Sequence, residues 1–224
     1  MRGLVSLVVL LSTSIAAAGT TGTVAGKVTV TESDGKVAQN VDVIVYLTGP
    51  AITPADPKQP VVSIEQKDKR FVPDLVAVTI GGSVSFPNRD LVLHNVFSQS
   101  PGRKFDLGSY KKNESKTQSF EKQGVIDVYC NVHPEMAATI LVLPNRYHAH
   151  VDLKTGAFSL KNVPAGTWKV FAYTRRATKP VSVDVKVVAD TNTPADLTIV
   201  RGAEANHLNK YGSKYPAGGG GYPR

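Results

Sequence analysis

The chain has 224 residues, 26 Lys and Arg against 18 Asp and Glu, a formal charge of +8, and 42% hydrophobic residues. That balance supports one or two domains with buried cores and excludes wholesale disorder. A single Cys excludes an intramolecular disulfide, a Cys₄ zinc site and a Cys₄ iron–sulfur cluster.

At the start, Arg2 precedes an apolar run from Leu4 to Ile15, and Ala16-Ala17-Ala18 fits a small-residue cleavage site. Residues 1–18 therefore read as an export signal cleaved after Ala18, with an uncleaved anchor as the alternative. The run is short for a membrane span, and no later segment is long enough, so no transmembrane segment is expected after cleavage. Export, periplasmic or extracellular, makes an unpaired Cys informative: outside the cytosol a free thiol needs burial, an intermolecular bridge or a metal.

Nineteen Gly and fourteen Pro, with abundant Val and Thr, point to short strands and turns, an all-β fold class. Thr23–Val30 and Val41–Leu47 alternate with period two around the turn Glu32-Ser33-Asp34-Gly35. Ala51–Pro60 holds Pro54, Pro57 and Pro60 and reads as a linker. Strands are then expected at Leu75–Ile80, Ser83–Phe86, Val125–Tyr129 and Ala138–Leu143, with a polar, Lys-rich segment of undetermined course from Gln99 to Lys122. Further strands follow at 148–153, 157–160, 168–173, 181–188 and 195–200, and no segment holds a helical apolar period. The tail from Ala203 to Arg224, ending near four consecutive glycines, reads as flexible.

The strongest signal is Cys130-Asn131-Val132-His133-Pro134-Glu135-Met136, a C-x₂-H-x₂-M loop between two apolar strands. Upstream lies His94-Asn95. One thiolate, two imidazoles and a thioether form the donor set of a blue-copper electron-transfer site, whose long axial Met tunes the potential. Zinc would want a harder fourth ligand, whereas soft Cys and Met also suit Cu(I) transport or storage.

On these residues, 61–144 resemble the cupredoxins, the plastocyanin and amicyanin family. The resemblance implies a Greek-key β-sandwich and one type 1 copper per chain, held by His94, Cys130, His133 and Met136. It also implies that Asn95 tethers the Cys loop and donates through its backbone toward the sulfur. The run Val151-Asp152-Leu153-Lys154-Thr155-Gly156-Ala157-Phe158-Ser159-Leu160 through Val163-Pro164-Ala165-Gly166-Thr167-Trp168 is similar to the second half of a carboxypeptidase regulatory-like domain, a small transthyretin-like sandwich. Gly26-Lys27-Val28, Asp34-Gly35 and Val41–Leu47 fit its first half. The resulting organisation is residues 1–18 signal, 19–57 and 145–202 the two parts of that sandwich, 58–144 the cupredoxin, and 203–224 tail. Insertion of one domain in the other is the expected arrangement, with tandem domains as the alternative.

Other histidines carry less. His148 and His150 share one strand face and could bind a second metal, but exposed strand histidines are commoner; His207 in the tail is given no role. Oxidase chemistry needs several H-x-H pairs and an H-C-H motif, but only His148-Ala149-His150 exists and Cys130 is flanked by Tyr129 and Asn131; Asn113-Glu114-Ser115 is read as a chance sequon. Arg103, Lys104, Lys111, Lys112, Lys116 and Lys122 carry no nucleic-acid motif. They form either a solvated loop or a field that steers an acidic redox partner. The reading is thus an exported electron carrier and not an enzyme. The alternatives are a copper delivery or storage protein, or a surface-interaction protein.

Overall fold

The structure is a computed structural model, and it describes residues 20–49, 59–204 and 206–215. The signal segment 1–18, most of the Pro-rich linker and the tail beyond Tyr215 lie outside the described residues. Eighteen strands and no helix occur among those described.

Two strands, β1 (Thr21–Glu32) and β2 (Ile44–Thr48), precede the linker. Ten follow: β3 (Val62–Ser63), β4 (Glu65–Lys67), β5 (Arg70–Val72), β6 (Leu75–Thr79), β7 (Gly82–Pro87), β8 (His94–Ser98), β9 (Phe105–Tyr110), β10 (Ser115–Phe120), β11 (Gly124–Tyr129) and β12 (Ala137–Leu143). The last six are β13 (His148–His150), β14 (Ala157–Pro164), β15 (Gly166–Tyr173), β16 (Val181–Val187), β17 (Asn192–Pro194) and β18 (Leu197–Arg201).

The Asp34-Gly35 turn forms, with Gly35 at φ 85°, a conformation that costs glycine little. It does not close a hairpin between β1 and β2, however, because those strands enter different sheets. β1 is antiparallel to β14 and parallel to β17 and β18, whereas β2 lies between β13 and β15, with β16 outermost. Thus the strands before residue 50 pair with those after residue 147. Between the two sheets lies a core built on Val24, Leu47, Leu160, Trp168, Val170 and Ile199.

Residues 62–143 form a second pair of sheets, β10-β7-β3 and β6-β12-β11-β8-β9. Their core includes Ile64, Phe86, Val96, Phe120, Ile126 and Ile140. The Lys-rich segment becomes β9 and β10, each at the edge of its own sheet, so the chain crosses between sheets at the Lys111–Glu114 turn. Charged residues suit such edges, since they discourage pairing with another chain.

Period two explains how the halves join. Along β12, Ala138, Ile140 and Val142 enter the second core, while Leu141 and Leu143 face the other way. On β6, Val76 and Val78 likewise oppose Leu75 and Ala77, and on β2, Val45 and Leu47 oppose Ile44. Ile44, Leu75, Ala77, Leu141 and Leu143 make a third small core between the sandwiches, with Tyr46 and Tyr173 against it. Buried on both faces, these strands carry near-continuous apolar runs.

Candidate metal centre

Two ligand-bearing segments converge because β8 and β11 are antiparallel neighbours that meet at Phe97 and Tyr129. Stepping back along β8 leads to His94, and stepping forward past β11 leads to Cys130, at the same end of the sheet. The loop to Met136 then closes on itself: the Cys130 amide donates to the Met136 carbonyl, and the Met136 amide to that of His133.

His94, Cys130 and His133 form the one cluster of three metal-ligating side chains among the described residues, their donor atoms within 4.8 Å of one another. The two Nδ1 atoms are 3.1 Å apart, and the Cys130 sulfur lies 3.9 Å from that of His94 and 3.8 Å from that of His133. The circle through these three atoms has a radius of about 2.1 Å, within the range of metal–nitrogen and metal–thiolate bonds. All three donors could therefore reach a single ion without rearrangement. His94, Cys130 and Met136 are buried and His133 is partly exposed. Met136 is buried in the same core as Cys130.

The surroundings favour the metal-bound form. Burial pushes the Cys130 thiol above its ordinary pKa, while the amides of Asn95, Val132 and His133 donate toward the sulfur and oppose that rise. The three amides would stabilise the thiolate that a metal requires of this residue. Burial, and then the nearby His94, hold His133 below the usual imidazole value, which keeps its Nδ1 available as a lone pair.

His94 is fixed from behind by Asp90, whose Oδ2 lies 2.7 Å from Nε2. A carboxylate on the distal ring nitrogen sets the tautomer and raises the basicity of the other nitrogen. Burial alone would raise the Asp90 pKa, yet hydrogen bonds from the Lys69 and Asp68 amides and from His94 together hold it low. Asn88 orders this loop by donating to the Val92 and Tyr110 carbonyls and accepting from the Asp90 amide. Asn95 uses its side chain elsewhere, donating to Asp106. Asp90, four residues before His94, was marked by no motif.

The tail departs most from its composition. Residues 206–215 pack on the Cys130–Met136 loop, and His207, given no role from sequence, stacks on Tyr129 at 3.8 Å. Its Nε2 lies 2.7 Å from the Pro134 carbonyl oxygen.

His148 and His150 stay apart from this cluster. The His150 Nδ1 is 2.8 Å from Asp42, a hydrogen bond that raises its pKa, while burial and then the charge of His150 depress His148. An NMR titration should find the His150 midpoint above about 6.5 and the His148 midpoint below it. The His150 contribution to stability is present below about pH 6.5 and lost as pH rises through its folded value. The His148 contribution is present above about pH 6.5 and lost as pH falls through its own, so the two oppose. The reverse order of midpoints would show that the Asp42 contact does not persist.

No family model matches the chain, and no curated protein does. Among solved structures, a purple cupredoxin from Nitrosopumilus maritimus is 22% identical over 37% of this chain and 99% of its own, with a TM-score of 0.34. A reduced amicyanin variant is 21% identical over 44% of this chain and 99% of its own, with a TM-score of 0.36. A Cu-containing nitrite reductase from Thermus scotoductus is 23% identical over 42% of this chain but 25% of its own, at 0.36.

Proposed function

We propose that the chain binds one copper ion through His94, Cys130, His133 and Met136 as a type 1 centre, and that it carries single electrons. The observation that carries this reading is the triangle of one thiol and two imidazole nitrogens, buried but for the partly exposed His133 and sized for one ion. Copper in such a site supplies a one-electron couple. The residues supply rigidity: Asp90 holds one imidazole, three amides face the sulfur, and the Met136 side chain is locked in the core. With four protein donors there is no open position for a substrate, which is why we read a carrier and not an enzyme.

The same reading makes residues 58–144 a cupredoxin inserted between the two parts of a regulatory-like sandwich, 19–57 and 145–202. The pairing of β1 with β14 and of β2 with β15 supports it. Residues 1–18 would direct export.

Voltammetry of the copper-loaded protein tests the function. A reversible one-electron wave is expected, and Met136→Leu should keep it while moving it to higher potential, because losing the axial donor destabilises Cu(II). An irreversible wave with ready loss of copper would point to delivery or storage.

The partner is proposed to be acidic. Leu91 and Leu93, 86% and 54% exposed, give an apolar spot just before His94. Exposed Lys111 and Lys112 follow Tyr110, which pairs with His94. Reversing both lysines to Glu should slow reduction by an acidic partner at least tenfold at low salt, with less effect at high salt. A rate insensitive to both changes would reduce the segment to a solvated turn.

A further inference from the structure

The loop that carries Cys130, His133 and Met136 uses the Met136 and His133 carbonyls for its own backbone bonds. Two of its other carbonyls, those of Cys130 and Pro134, point to the C-terminal segment. The Tyr215 hydroxyl donates to the Cys130 oxygen at 2.9 Å, and His207 Nε2 meets the Pro134 oxygen at 2.7 Å. Between them, the Lys210 amide donates to the Asn131 side chain at 3.0 Å.

The same segment reaches the other ligand strand. The Lys210 ammonium pairs with Asp106 at 2.7 Å, and Asp106 accepts from Asn95, the neighbour of His94. Gln99, just beyond β8, donates to the Lys210 carbonyl.

This ordering has local causes that composition hides. Glu204 is moored to Arg175 at 2.6 Å. The Asn209 side-chain oxygen accepts from the Tyr211 and Ser213 amides, and Gly212, at φ 77°, lets the chain turn. The turn brings Tyr215 back edge-on to His207, 5.2 Å between centroids, while His207 stacks on Tyr129. The Tyr215 and His207 contacts fix loop backbone at Cys130 and beside His133, and a donor geometry is only as firm as the groups that hold it.

We propose that His207, Lys210 and Tyr215 are positioning residues of the metal centre, a strap that holds the Cys130–Met136 loop against β8. The inference rests on the copper reading for its purpose, but the geometry it asserts exists without metal. Without the strap the loop samples conformations in which the sulfur is accessible and the three donors no longer converge.

The experiment compares the full chain with a chain ending at Glu204 and with Tyr215→Phe, which keeps the ring and deletes the hydroxyl's contacts with the Cys130 oxygen and with His207 Nδ1. In metal-free protein, reaction of Cys130 with a thiol reagent should be at least tenfold faster in the truncated chain and severalfold faster in Tyr215→Phe, at unchanged melting temperature. After Cu(II) addition, both variants should release copper to a chelator faster than the full chain, with an altered EPR hyperfine splitting. Thiol rates and copper release within twofold of the full chain in both variants would overturn the proposal. If the thiol arm behaves as expected but the full chain forms no blue complex, the strap stands and the copper reading fails.

Discussion

Cys130→Ser should abolish the intense visible band of the copper-loaded protein while leaving the fold in place. In the proposed site the thiolate is the donor whose charge transfer to Cu(II) would give the colour, and a serine hydroxyl at neutral pH is neither anionic nor soft. Serine is close to cysteine in size, and the sulfur is buried with three amides facing it, so the loop retains partners for the new hydroxyl. His94 and His133 stay 3.1 Å apart and can still hold Cu(II) weakly, so the variant should bind copper without the colour. An absorption and EPR comparison decides it. A band that survives the substitution would place the chromophore elsewhere.

The largest stability effect is expected at Trp168, in the other sandwich. Its indole is buried, donates from Nε1 to the Pro164 carbonyl at 2.8 Å, and meets Tyr147 edge-on at 5.4 Å. Gly49 packs against its face so closely that an added Cβ would lie 2.5 Å from Cε3. Trp168→Ala leaves a cavity that these rigid strands cannot fill, at a cost of about 3–5 kcal/mol. For a chain of this size, that lowers the Tm by roughly 6–20 °C. Since Trp168 belongs to a core separate from that of the donor cluster, the folded fraction should keep its copper spectrum. A loss below about 1 kcal/mol by denaturant titration would mean the site relaxes around the gap.

What could be read from the sequence follows from how local each feature is. Cys130, His133 and Met136 stand within seven residues, so their chemistry is visible as one word, and all-β character is visible in alternation and turns. The course of Gln99–Lys122 is not, because β9 and β10 are polar edge strands, β9 pairing with the preceding β8 and β10 with β7 in the other sheet. β1 and β2 look like a hairpin because the Asp34-Gly35 turn is real, yet each finds its partners beyond residue 147. Asp90 and His207 escaped for a related reason. Their roles come from what a folded loop leaves unsatisfied, the distal nitrogen of one ligand and the carbonyls beside another. The tail has few apolar residues to announce burial, and its ordering depends on hydrogen bonds to backbone that only the fold presents.

The central proposal is that His94, Cys130, His133 and Met136 would hold one copper as a type 1 centre. The visible absorption and EPR spectra of the purified chain after one equivalent of Cu(II) test it directly. The account predicts an intense blue or purple band that saturates at one copper per chain, with a narrow hyperfine splitting. A colourless complex with the broad splitting of ordinary tetragonal Cu(II), or a chain that takes up only zinc, would contradict it.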